Sequence, residues 1–183
     1  FIFNDPYDGG THLSDFKLVR PYFHDGKLFC WLASVGHWHD VGGNVPGNYN
    51  PAATESFQEG MHIPPVKLVA GGKINGDIVD ILRQNSRQPI SLYGDLNGQL
   101  NALDLGARRL GELLAEYGGG TVTAALAELR VMAERLMRAN IAELPDGTYS
   151  AEDFLDNDGI VDKPLKIALQ HHDVGPGIAG SQG

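Results

Sequence analysis

The stretch that decides the fold is "FKLVRPYFHDGKLFCWLASVGHWHD", residues 16–40. Two strand-like runs, "FKLVRPYF" and "KLFCWLASV", flank the turn "HDG", and this order predicts a β-hairpin. Period-two alternation places four residues of the second run on one face: Phe29, Trp31, Ala33 and Val35. We expect this apolar face to point inward, and His37 to share its parity.

Two similar motifs border this region, one just before its start and one at its end. "GGTHLSD" contains His12 and Asp15, and "GHWHDVGG" contains His37 and Asp40. Imidazole nitrogen and carboxylate oxygen together suit Zn, Mn or Fe, and a catalytic site of this type keeps one position open. The adjacent glycines allow the backbone to approach such a site closely. The spacing therefore predicts a divalent metal site, although each pair alone is equally compatible with a hydrogen bond that stabilises a loop.

A further carboxylate, Asp5 in "NDPY", lies close to the first motif in the sequence. We predict that it is either a ligand or a partner that orients an imidazole. Other catalytic motifs are weak. "AGGKING" lacks the spacing of a P-loop, and no G-x-S-x-G nucleophile elbow is present, so no nucleotide-binding residues are predicted in this chain.

The chain divides into three predicted parts with an α+β fold. Residues 1–75 form a glycine-rich β region that carries the site, 76–146 are helical, and 147–183 start a further β region. A leucine-rich stripe with spacings of three and four predicts a helix over 95–117. A second helix over 122–142 follows "GGG", and the short connection predicts an antiparallel helical hairpin. We expect this second helix to bury Leu126, Leu129, Ala133 and Leu136.

Composition narrows the function classes. The chain has 183 residues, a net charge of −9 and a single cysteine. The acidic balance argues against nucleic-acid binding, and no apolar run has the length of a membrane span. A lone cysteine is typical of the cytoplasm. Because the sequence begins in a strand-like run without methionine, we expect it to be part of a larger subunit.

A series of blocks identifies a family. "NDPYDGGTHLSD", "GHWHDVGG", "VPG", "EG" before "IPPVKL", and "GDLNGQLNALDLGARRLGELLAEYG" occur in that order. They resemble the B-type subunit of the hydantoinase and 5-oxoprolinase family, which includes caprolactamase and the acetone and acetophenone carboxylases. The resemblance extends from residue 1 to about residue 165, and the family subunit is several hundred residues long.

The resemblance implies ATP-driven chemistry on an unreactive carbonyl. An A-type partner subunit binds and cleaves ATP, while the B-type subunit holds a divalent metal (Mn, Zn or Fe) and acts on the ring or ketone. His12, Asp15 and His37 match the family's ligand positions, Asp40 falls in the same block, and Asp5 is a candidate proton acceptor. The implied assembly is a cytoplasmic hetero-oligomer.

Three functions are compatible with these residues. The first is hydrolysis of cyclic amides such as hydantoin, 5-oxoproline or lactams. The second is a ketone carboxylase, which is slightly favoured by one departure: many family members carry two adjacent histidines where this chain has His37 and Trp38. The third is a non-catalytic assembly domain in which both His-x-x-Asp pairs only stabilise loops.

Overall fold

The computed structural model of the protein describes residues 1–173. The chain forms two compact units, Phe1–Tyr117 and Gly118–Gly183. Helices and antiparallel strands are present in both units, which confirms the mixed α and β class. The three-part division into 1–75, 76–146 and 147–183 stays a prediction.

The first unit is built on a three-stranded antiparallel sheet. Its strands are β1 (Ile2–Phe3), β2 (Asp15–His24) and β3 (Lys27–His37), in that order across the sheet. The predicted hairpin of β2 and β3 is confirmed, and Asp25 and Gly26 form its turn with φ of 51° and 73°. Positive φ at both central residues matches the twist of the two strands, which is why Asp-Gly connects hairpins so often.

The rest of the first unit covers one side of this sheet. A short hairpin of β4 (Val69–Ala70) and β5 (Lys73–Ile74) precedes two helices, α1 (Gly76–Gln84) and α2 (Pro89–Tyr117). The leucine stripe predicted for the long helix is confirmed, because α2 buries Leu92, Leu96, Leu103 and Leu114. Together with Phe16, Leu18 and Trp38 these leucines form the hydrophobic core.

The orientation predicted for β3 is wrong. Trp31, Ala33, Val35 and His37 do share one face, but that face is exposed. The opposite face, which carries Trp38 beyond the end of the strand, is the one that packs against α2. The physical reason lies in contacts from other segments: Phe16 of β2 stacks on Trp38 with ring centroids 3.9 Å apart, and α2 packs on this same face.

Gln99 anchors α2 to the hairpin. Its Nε2 donates to the carbonyls of Phe16 (2.9 Å) and Ser34 (3.2 Å), and its Oε1 accepts from Trp38 Nε1 (2.8 Å). A Cβ at Gly36 would lie only 2.8 Å from Gln99 Cδ, so glycine is needed where the amide packs against β3. This contact fixes the ends of β2 and β3 relative to the helix.

The second unit contains α3 (Gly119–Ala142) and an antiparallel hairpin of β6 (Gly147–Leu155) and β7 (Leu165–Asp173). The predicted break between the helices is confirmed at Gly118, whose φ is 78°. The burial predicted for α3 is wrong: Leu126, Leu129, Ala133 and Leu136 are all exposed. No described residue covers this stripe, and an apolar stripe is buried only where another layer faces it.

Packing of α2 against α3 as a helical hairpin stays a prediction. Among residues 1–173, no helix has the length and apolar character needed to cross a lipid bilayer.

Candidate functional site

The register of the hairpin brings one predicted histidine to one predicted aspartate. Asp15 is the first residue of β2 and His37 is the last of β3, and the two are directly paired. His37 Nδ1 lies 2.6 Å from Asp15 Oδ1. Antiparallel pairing from the turn outward therefore joins side chains that are far apart in the sequence.

A tight turn brings the second histidine to the same carboxylate. Asp15 N donates to the His12 carbonyl (3.0 Å), and this turn places His12 Nδ1 2.9 Å from Asp15 Oδ2. Thr11 Oγ1 also donates to Asp15 Oδ2 (3.1 Å), and Lys17 Nζ donates to Thr11 Oγ1 (2.9 Å). We call His12, Asp15 and His37 the histidine cluster.

The histidine cluster is accessible from solvent. The His12 and His37 side chains are 82% and 72% exposed, whereas that of Asp15 is 19% exposed. Partial burial by itself would raise the pKa of Asp15, but hydrogen bonds from His12, His37 and Thr11 outweigh it and lower the pKa. Asp15 is therefore an anion at neutral pH, and each imidazole facing it carries its hydrogen on Nδ1.

The residue types of the histidine cluster are those that bind divalent metals. Two imidazoles and one carboxylate are ligands for Zn, Mn or Fe, and such a set leaves positions open. Ligand atoms that share one ion through bonds of about 2.0–2.2 Å lie roughly 3 Å apart, close to the separations seen here. As the side chains stand they bond to one another, and within residues 1–173 no group of three or more His, Cys, Asp or Glu side chains is placed so that it could hold a metal ion.

The structure does not bring Asp40 to the histidine cluster. This carboxylate is 3% exposed. Its Oδ1 accepts from Gly42 N (3.0 Å), and its Oδ2 accepts from Gly47 N (3.0 Å) and from an Arg87 guanidinium nitrogen (3.1 Å). Beyond β3 the alternation continues, so Asp40 turns inward while His37 faces solvent. Asp40 joins the loop after β3 to the segment before α2, and the Arg87 cation occupies the position that a metal would need.

The Asp40 network predicts a loss of stability in acid. Burial alone would raise the pKa of Asp40, but the backbone N–H groups of Gly47, Gly42 and Arg87 and the Arg87 guanidinium lower it overall. Since the folded pKa is depressed, the stabilisation is complete above the unfolded value of about 3.9 and is lost as pH falls through the folded pKa. Asp40→Asn should cost about 2–4 kcal/mol at pH 7 and flatten the acid limb.

Urea unfolding, followed by tryptophan fluorescence from about pH 2.5 to about pH 7, measures this effect, since these limits lie well below and well above the usual carboxylate pKa values. Asp104→Asn is the matched control, because Asp104 pairs with Arg20 at the surface and such pairs contribute about 0–1 kcal/mol. Part of the acid dependence of stability should remain in Asp40→Asn, because the pKa of Asp15 is also lowered in the folded protein. A parallel acid limb in wild type and Asp40→Asn would contradict the assignment.

Asp5 faces a histidine that the sequence patterns did not single out. Its Oδ1 accepts from Tyr7 N (2.9 Å), and its Oδ2 lies 3.7 Å from His62 Nδ1. His62 has no aspartate at the His-x-x-Asp spacing, so no local signal marks it. Only the folding of the segment around residue 62 against β1 reveals the pair.

Asn4 connects the two histidine-bearing segments. It is fully buried, and its Nδ2 donates to the carbonyls of Leu13 (2.7 Å) and Met61 (2.8 Å). Its Oδ1 accepts from Ile63 N (2.7 Å). Leu13 follows His12, and Met61 and Ile63 flank His62, so this one amide holds both segments beside β1. Sequence reasoning missed Asn4 because a single polar residue in a strand-like run carries no sign of its partners.

Comparison with known proteins gives a consistent result. The family described as hydantoinase B/oxoprolinase matches residues 1–179. The chain is 44% identical over 167 residues to the caprolactamase subunit beta of Pseudomonas jessenii, a match that covers 91% of this chain and 29% of the relative. It is 31% identical to the acetophenone carboxylase delta subunit of Aromatoleum aromaticum, over 86% of this chain and 23% of the relative.

The fold is similar to that of a solved relative. The crystal structure of the ATP-dependent caprolactamase from Pseudomonas jessenii matches with a TM-score of 0.77 at 44% identity. The match covers 84% of this chain and 27% of that chain. The present chain thus spans less than a third of the length of these relatives.

Proposed function

This chain belongs to the hydantoinase B/oxoprolinase family, and from that premise we propose that it is the metal-binding part of an ATP-dependent cyclic-amide hydrolase. The substrates are rings of the hydantoin, 5-oxoproline or lactam type. The observation that carries the proposal is Asp15, held within 2.6 and 2.9 Å of two exposed imidazoles at the end of a rigid hairpin. Relationship to a caprolactamase subunit supports the substrate class.

In this proposal His12, Asp15 and His37 hold one divalent Mn, Zn or Fe. When bound, such an ion supplies Lewis acidity and lowers the pKa of coordinated water. Thr11 and Lys17 hold the carboxylate in place, since Thr11 donates to Asp15 and Lys17 donates to Thr11. Asp40 is not a ligand here and keeps the adjacent loop in shape.

Asp5 is the proposed proton acceptor. Its carboxylate is bound by a single backbone N–H and has a partly accessible surface, so one oxygen stays available to take a proton. An amide resists attack because resonance places electron density on its carbonyl carbon. Phosphorylation of the amide oxygen on the partner subunit relieves this resonance, and loss of a proton from the attacking water to Asp5 then assists ring opening.

ATP is assigned to an A-type partner subunit, and the working enzyme is a cytoplasmic hetero-oligomer. The relatives are named as subunits, beta in caprolactamase and delta in acetophenone carboxylase. The test combines the chain with its A-type partner and offers hydantoin, 5-oxoproline and a series of lactams. We expect ATP-dependent ring opening of at least one ring, measured by mass spectrometry together with phosphate release. No opening of any ring, or opening without ATP, would count against the proposal.

A ketone carboxylase is the second candidate, supported by the similarity to the acetophenone carboxylase delta subunit. The same assembly with a ketone and labelled bicarbonate distinguishes the two reactions, because carboxylation consumes bicarbonate and lactam opening does not. An assembly domain without catalytic residues would instead tolerate alanine at His12 and His37.

A further inference from the structure

His62 lies between a carboxylate and an aromatic ring. Its Nδ1 is 3.7 Å from Asp5 Oδ2, and its ring centroid is 4.7 Å from that of Phe57 with an interplanar angle of 33°. The imidazole is 14% exposed. The nearby carboxylate favours the tautomer with its hydrogen on Nδ1, which leaves a lone pair on Nε2.

The Nε2 atom of His62 is buried and has no hydrogen-bond partner in the described part of the chain. Buried side-chain nitrogens almost always have a partner in native proteins. An unpartnered acceptor beside a candidate catalytic carboxylate is a candidate position for a donor from another molecule.

Phe57 is the aromatic neighbour of this imidazole and is loosely held. Its ring is 73% exposed and lies in a single turn of 3-10 helix, Ser56–Gln58, which buries no residue. Displacement of the ring therefore disrupts little packing. It would uncover part of the imidazole and leave an aromatic surface beside it.

We propose that His62 is a substrate-binding residue whose Nε2 accepts a hydrogen bond from the ring N–H of a cyclic amide, with Phe57 as the apolar wall. This inference rests on the proposed function and deepens it. A cyclic amide has both required features, an N–H donor and a flat face. The nearby Asp5 carboxylate favours the accepting tautomer, and an accepting Nε2 selects a ring with N–H over one with oxygen in that place.

The test compares a lactam with the lactone of equal ring size, which lacks only the N–H donor. Both are measured as competitive inhibitors of ATP-driven ring opening by the chain assembled with its A-type partner. We expect wild type to bind the lactam at least about tenfold more tightly than the lactone. His62→Asn keeps an amide near Asp5 but leaves the Nε2 position empty, so this preference should fall below about threefold.

His62→Gln is the matched variant, because its longer side chain returns an acceptor to the Nε2 position, and it should keep most of the preference. A wild-type enzyme that opens rings but binds lactam and lactone equally would overturn the inference, whatever the variants do. So would an unchanged preference in His62→Asn. Absence of ring opening in wild type would instead count against the proposed function itself.

Discussion

Asp15→Asn, in the chain assembled with its partner subunit, should reduce bound metal from about one ion per chain to a trace and lower ring-opening activity at least about 100-fold. The reason is that one carboxylate contacts both imidazoles, at 2.6 and 2.9 Å. Its replacement removes the anionic member of the proposed ligand set and also releases His12 and His37 from their fixed orientation. Elemental analysis of the purified complex measures the metal, and coupled phosphate release measures the activity.

Two single variants and a control show whether the loss of activity follows the loss of metal. His12→Ala and His37→Ala should each lose metal and activity together. His39→Ala is the matched control, because His39 is an exposed histidine two residues beyond His37 and has no contact with Asp15 among the described interactions. Full metal content and unaffected turnover in Asp15→Asn would mean that the histidine cluster only stabilises a loop, as in the assembly-domain alternative.

Asn4→Ala should destabilise the first unit by about 3–5 kcal/mol, since it leaves three buried backbone groups without a partner at about 1–3 kcal/mol each, with partial relaxation. Those groups are the carbonyls of Leu13 and Met61 and the N–H of Ile63. The same change releases the segments that carry His12 and His62, so metal affinity should fall with stability. Urea unfolding and metal titration of the same preparation measure both effects.

Two variants separate the network from general damage. Asn4→Asp has nearly the same shape but loses both donated hydrogen bonds, so it should fall close to the alanine variant. Asn97→Ala removes a hydrogen bond from Asn97 Nδ2 to the Tyr93 carbonyl, which lies on the outer side of α2. This change should alter the free energy of unfolding by less than about 0.5 kcal/mol. If Asn4→Ala were no more damaging than Asn97→Ala, the central role of Asn4 would be wrong.

The two His-x-x-Asp motifs have the same spacing but different structures. From His12 to Asp15 the chain forms a turn, so the side chains meet at 2.9 Å. After His37 the chain leaves β3 and bends at His39, and Asp40 is buried whereas His37 is exposed. Spacing alone predicted one site with four ligands. The backbone conformation brings His12, Asp15 and His37 into contact, whereas Asp40 pairs with Arg87.

Burial likewise depends on tertiary packing as well as on the sequence pattern. Alternation along β3 correctly placed Trp31 and Val35 on one face, but which face is buried depends on where α2 packs, through Gln99 and Trp38. Likewise the stripe on α2 is buried because a sheet faces it. The comparable stripe on α3 is exposed, because no described residue covers it.

The amino-acid sequence by itself determined the features that depend on neighbours along the chain. These are the Asp-Gly hairpin, the long leucine-striped helix, the break at Gly118 and the motifs that identify the family. Only the tertiary structure decided which face of the hairpin is buried, which aspartate joins the two histidines, that Asn4 links the segments carrying His12 and His62, and that His62 faces Asp5. Periodicity and turn chemistry act over a few residues, whereas these contacts join segments that meet only when the sheet, the helix and the loop around residue 62 pack together.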